Sequence, residues 1–185
     1  MQKSNKIIIG IIAVAIIGLG YMAYKDSSTP GQYDGLAQCL KDKGAIFYGA
    51  FWCPHCQATK KLFGKSAKLL PYVECSSADG QSQLPICKDK NVESYPTWSF
   101  PEGVTVTNAD APVICPVQPG PADQNPICAT QGSKTFKTYL FSNYSVKSKT
   151  EPVHEGETWK FDKDSYALGE ISLENIALQS NCPLN

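Results

Sequence analysis

Cys53 and Cys56, in the run FWCPHCQ (51–57), are the side chains whose type and spacing most clearly allow chemistry. Cysteines two residues apart can hold a metal, form a short structural disulfide, or open and close a disulfide reversibly. A structural zinc site draws its four ligands from two close pairs. The other cysteines offer no second close pair, and the second histidine, His154, lies in a polar stretch. No metal is therefore expected. Covalent haem attachment needs a histidine directly after the second cysteine, where this chain has Gln57. A purely structural disulfide across so small a loop stabilises little through chain entropy. The redox reading is the strongest.

It has its own physical support. Pro54 suits the first turn of a helix, where a backbone N–H has no partner anyway. Cys53 would then sit at the positive end of a helix dipole, which favours the thiolate, the attacking species in disulfide exchange. Cys53, first and more exposed, is the expected nucleophile, and Cys56, one turn further in, the resolving thiol. His55 projects from the same turn and can support the Cys53 thiolate; the plain alternative is a solvated surface histidine. A stabilised thiolate makes the reduced form more stable and the disulfide a stronger oxidant.

Several elements must position this pair. Asp34 is a candidate N-cap for a helix over 35–43, with Leu36, Cys39 and Leu40 on one face and Gly44 at its end. AIFYGAFW (45–52) is apolar and charge-free, the pattern of a buried strand. A helix follows from the first cysteine, interrupted near Gly64 and closed by Pro71, and YVECS (72–76) predicts a second strand. QLPICKDKN (83–91) predicts a short helical stretch before a strand over 97–100. TWKFDKDSYALG (158–169) resembles a hairpin. A helix follows from Ser172, its N-cap, to about Gln179, with Leu173, Ile176 and Ala177 facing inward. Residues 101–156 differ: proline-rich, without tryptophan, and holding Cys115 and Cys128. Too small to carry a core alone, they read as an insertion in one domain. TFKTYLFSNYSV (135–146) has strand character.

The chain of 185 residues has a formal net charge of +0 and 42% apolar residues, enough for one globular domain and without the basic stripe of a nucleic-acid binder. Eight cysteines point to an oxidising compartment. Lys3 and Lys6 precede Ile7 to Tyr24, a charge-free run long enough to span a bilayer and without a convincing cleavage site. Residues 1–25 are therefore expected to be an uncleaved transmembrane anchor with its N-terminus inside, residues 26–34 a polar linker, and 35–185 the catalytic domain. That domain would lie outside the cytoplasm, in a periplasm or at the cell exterior. A cleaved signal peptide is the alternative.

Strand, CxxC, helix and, some forty residues on, the aromatic–proline–threonine of SYPTW together resemble the thioredoxin-fold signature, which implies a cis peptide at Pro96 beside the active disulfide. More closely, YGAFWCPHCQATKKLFGKSAKLLPYVEC (48–75), YPTW and GEISLENIA (169–177) resemble the thioredoxin-like domain of bacterial vitamin K epoxide reductase homologues. The likeness covers about 36–100 and 157–182. It implies an α/β chain: a thioredoxin fold, here with an N-terminal transmembrane helix and a disulfide-bearing insertion. It also implies a dithiol–disulfide oxidoreductase in which Cys53, Cys56, His55 and Pro96 are catalytic. Trp52, Pro54, Tyr95 and Thr97, which flank them, would contact substrate. The CPHC run is shared with Dsb-type dithiol oxidases, which favours an oxidising role. Substrates would be reduced exported proteins. Electrons would pass to a separate quinone-linked membrane partner of the vitamin K epoxide reductase type, with no cofactor beyond the Cys53–Cys56 disulfide. In one departure from the thioredoxin pattern, AIFYGAFW carries no buried acid. In another, no four-helix reductase segment is present.

The six remaining cysteines are expected in structural disulfides. Cys75–Cys87 would tie the second strand to the next helix, Cys115–Cys128 would close within the insertion, and Cys39–Cys182 follows by elimination. A redox relay through Cys75 and Cys87 is the alternative. A reductase or isomerase on the same fold, and a non-enzymatic disulfide-stapled binding module, stay open beside the oxidase.

Overall fold

A computed structural model describes residues 12–21, 29–107, 111–117, 128, 133, 135–142, 144–169 and 171–184. The chain divides into two units, Met1–Gly31 and Gln32–Asn185.

In the first unit residues 12–21 are helical. Ten residues rise only about 15 Å, half of a hydrocarbon core of roughly 30 Å. Among the described residues no helix is long and apolar enough to cross a membrane. This corrects the expected transmembrane helix, and with it the single-pass placement of an extracytoplasmic domain. Residues 7–11 and 22–24 of the charge-free run lie outside the described residues.

In the second unit, α1 (Asp34–Asp42) buries Leu36, Ala37 and Leu40. Its N-cap is Tyr33, without a side-chain capping bond, and Asp34 stands inside the first turn instead, where its charge suits the helix dipole. Gly44, at φ +76°, turns the chain into β1 (Ile46–Gly49). β1 is shorter than the apolar run: Phe51 and Trp52 leave the sheet in a turn and are exposed. Next come α2 (Pro54–Phe63) and a 3₁₀ stretch (Gly64–Leu69), which begins where Gly64 takes φ +52°. β2 (Tyr72–Glu74) then lies parallel to β1. After the single turn α3 (Pro85–Lys88), β3 (Thr97–Ser99) runs antiparallel on the other side of β1.

The remaining strands are β4 (Thr105–Val106), β5 (Val113–Cys115), β6 (Lys137–Leu140), β7 (Ser145–Ser148), β8 (Val153–Glu155), β9 (Thr158–Lys160) and β10 (Tyr166–Leu168). α4 (Leu173–Ser180) follows, capped by the Ser172 hydroxyl, which accepts the Asn175 N–H at 3.3 Å. One sheet has seven strands in the order β2-β1-β3-β10-β7-β6-β5; a second has β4-β9-β8. The fold is thus mixed α/β around a large sheet.

Within the described part of 101–156, β5, β6 and β7 continue the main sheet beyond β10, inside the same unit as the rest of Gln32–Asn185. Their pairing covers a β10 edge that would otherwise leave backbone donors and acceptors open. Tyr139 and Val146 are fully buried in the same core as Phe47 and Trp98. One sequence expectation changes here: residues 158–169 do not form a hairpin, because β9 pairs with β4 and β8, while β10 pairs with β3 and β7. At the centre of the core, Phe47 stacks on Trp98 at 4.6 Å and Trp98 on Phe100 at 5.9 Å. That packing fixes β1 against β3, the two strands that carry the site.

Candidate active site

Cys53 is the N-cap of α2, in extended backbone with Pro54 in the first turn. Its sulfur accepts the backbone N–H of Cys56 at 3.2 Å, the bond that a capping oxygen makes at other helices. A sulfur there faces the unpaired N–H groups and positive end of the dipole. Cys53 is 3% exposed and Cys56 0%, so the first is the more accessible only narrowly. They are the two free cysteines of the chain. Burial first, then hydrogen bonding to Cys53, pushes the Cys56 thiol up to about 12; Lys60 pulls the other way.

Around the pair the sequence-predicted residues take different places. Pro54 and His55 are exposed on the first turn, and the His55 carbonyl accepts the Thr59 hydroxyl at 3.0 Å. Trp52 is 52% exposed, its Nε1 donates to Ser76 Oγ at 2.8 Å, and its ring meets Tyr95 edge-on at 6.0 Å. The Tyr95–Pro96 peptide is cis, and Tyr95 Oη accepts from Gln83 Nε2 at 2.9 Å. Thr97 is 2% exposed and its hydroxyl donates to the Ser94 carbonyl at 2.7 Å. It braces the turn around Pro96 and is buried, whereas Trp52 is exposed and Tyr95 half-buried.

Trp52 and Tyr95 line a groove of about 170 Å³ with Ser76, Gly80, Gln81, Ser82 and Gln83. Sequence reasoning missed the 76–83 side of it. The available signal was the Cys75–Cys87 pair, which closes a loop after β2. Also missed was a group behind the cysteines. Gly49 on β1 pairs with Glu74 on β2. Tyr72 Oη donates to Glu74 Oε2 at 2.8 Å. Lys60 Nζ stands 3.3 Å from the Tyr72 ring centre. Burial and the Glu74 bond hold the Tyr72 phenol above its ordinary range.

The other six cysteines are bonded: Cys39–Cys182, Cys75–Cys87 and Cys115–Cys128, with Cα separations of 5.9, 5.5 and 5.2 Å. Among the described residues no three His, Cys, Asp or Glu side chains gather to hold a metal ion.

No family model matches the chain. A curated relative does: the thiol-disulfide oxidoreductase LTO1 of Arabidopsis thaliana is 42% identical over 87 residues, which is 44% of this chain. The chain spans 23% of that relative's length. Similarity at this level supports the class of enzyme anticipated from the CxxC pair, a thiol–disulfide oxidoreductase.

Proposed function

We propose that this chain is a dithiol oxidase that transfers the Cys53–Cys56 disulfide to proteins holding two reduced thiols. The observation that carries the reading is the Cys53 sulfur at the N-cap of α2, accepting the Cys56 N–H. A substrate thiolate attacks Cys53, forming a mixed disulfide as Cys56 leaves with the electron pair. The second substrate thiolate then attacks the substrate's own sulfur in that mixed disulfide. Cys53 leaves as a thiolate, which the helix end stabilises. The substrate has lost two electrons and two protons, and the enzyme has gained them. His55 assists the Cys53 thiolate from the same turn. Trp52, Tyr95 and the cis Pro96 peptide shape the surface on which substrate lies.

The oxidising direction is favoured by the CPHC sequence and by the three other disulfides of the chain, which persist only where thiols are oxidised. Reoxidation falls to a separate quinone-linked enzyme of the vitamin K epoxide reductase type. Oxidative refolding of a reduced disulfide protein is the test. Wild-type chain should accelerate it and Cys53→Ser should not. Equal rates with the two proteins would refute the enzymatic reading.

A further inference from the structure

Cys56 must give up a proton whenever it attacks a disulfide and take one back whenever it is expelled. It is fully buried, and β1, which passes beside it, carries no carboxylate. The neighbouring strand does. Tyr72 and Glu74 are two residues apart on β2 and share one face. The missing side chain of Gly49 leaves a small opening. A Cβ there would stand 3.0 Å from Cys56 Sγ and 3.3 Å from Tyr72 Oη. The sulfur and the hydroxyl therefore border the same gap. Glu74 is held in place: Oε2 accepts from Tyr72, and Oε1 accepts the N–H groups of Phe51 at 3.2 Å and Ser76 at 2.9 Å. It is only half-buried, so its proton can exchange with solvent.

We propose that Tyr72 and Glu74 carry the proton of Cys56, Tyr72 Oη accepting it from the sulfur as its own proton passes to Glu74 Oε2. The inference rests on the thiol–disulfide reading above. When a mixed disulfide at Cys53 is resolved, the Cys56–Cys53 sulfur bond forms and the bond from Cys53 to the outside sulfur breaks. The outside thiolate leaves with the electron pair, and the Cys56 proton ends on Glu74. When a substrate thiolate opens the Cys53–Cys56 bond, Cys56 leaves with the pair and the proton returns by the same path. The phenol, held above its ordinary range, passes the proton on without staying ionised. The other titratable groups facing Cys56 are Cys53 and Lys60 from α2 and Tyr95 before β3. None is a carboxylate, and the Lys60 charge eases loss of the thiol proton.

The test uses the full chain, reduced at Cys53 and Cys56 and mixed with oxidised glutathione. Acid quenching, alkylation and mass measurement follow the glutathione adduct on Cys53. Glu74→Gln keeps an oxygen for the Phe51 and Ser76 N–H groups but accepts no proton; Tyr72→Phe removes the relay hydroxyl. At pH 7 both should slow collapse of the adduct by about 100-fold and leave its formation unchanged. The deficit should shrink as pH rises, and Glu74→Asp should recover part of the rate. Wild-type collapse rates and pH profiles in both variants would overturn the relay. A slowing that is the same at every pH and also affects adduct formation would overturn it too, by showing a structural role. If wild-type chain forms no adduct, the functional reading fails first and the relay with it.

Discussion

The corner between β1 and α2 and the three bonded cysteine pairs use the same side chain to opposite ends. Cys39–Cys182 joins α1 to the residues after α4 across a separation of 143 residues, and the other two pairs close 12 and 13. In the chain-entropy account those loops contribute about 5 and about 3 kcal/mol. Cys53 and Cys56 enclose two residues and contribute little in this way, but one of them caps a helix. Exposed Phe51, Trp52, Pro54 and His55 surround that cap. On the proposed function, loop length and helix position, more than burial, separate a cysteine that holds the fold from one that exchanges.

The largest effect that can break this contrast is on turnover. Cys56→Ser should reduce dithiol oxidation by at least about 100-fold and, when offered oxidised glutathione, should accumulate the glutathione mixed disulfide at Cys53 as glutathione thiolate leaves, found by mass mapping. The same adduct at any other cysteine would erase the distinction. Next, Cys39→Ser should lower unfolding free energy by about 2–5 kcal/mol in denaturant titration. The exchange rate of the folded protein should stay within about twofold, since on the proposed function neither cysteine takes part in the exchange.

Gly49→Ala sharpens the boundary between the two roles. Its methyl would stand 2.7 Å from the Tyr72 ring and 3.0 Å from Cys56 Sγ, so a cost of about 1–3 kcal/mol is expected. Slower resolution of mixed disulfides should accompany it, and a fully silent variant would show the gap to be unimportant.

A smaller effect is pH-dependent. Burial first, then hydrogen bonding to Cys53, raises the Cys56 thiol from 9.0 to about 12, so the folded state holds that proton where the unfolded chain has lost it. The contribution is complete below pH 9 and is lost as pH climbs toward 12. Cys53→Ala, with its lone Cys56 thiol, should therefore lose melting temperature relative to the oxidised wild type above pH 9. Parallel curves would mean the thiol is not desolvated.

The sequence carried the site further than the fold. Pro54 after Cys53, and the uncharged run before it, mark a strand-to-helix corner by local rules alone, and Ser172 marks the start of α4 in the same way. The β4–β9–β8 sheet was illegible because strands of two or three residues show no period, and their partners are chosen by long-range pairing. Phe51 and Trp52 read as strand because aromatic residues favour sheets, yet the turn into α2 places them in solvent. Glu74 looked like one charge on a half-exposed strand. Only the register that sets it opposite Gly49 brings it toward Cys56. The charge-free N-terminal run obeyed the length rule for a span, but among the described residues no helix meets it.

A glutathione redox titration with alkylation of all eight cysteines tests the central claim most directly. The account predicts that Cys53 and Cys56 titrate together near about −120 mV, while the other three pairs stay oxidised well below that. A value near about −270 mV would contradict the oxidising direction. Co-titration of Cys53 and Cys56 with the other pairs would contradict the separation of exchanging from holding cysteines.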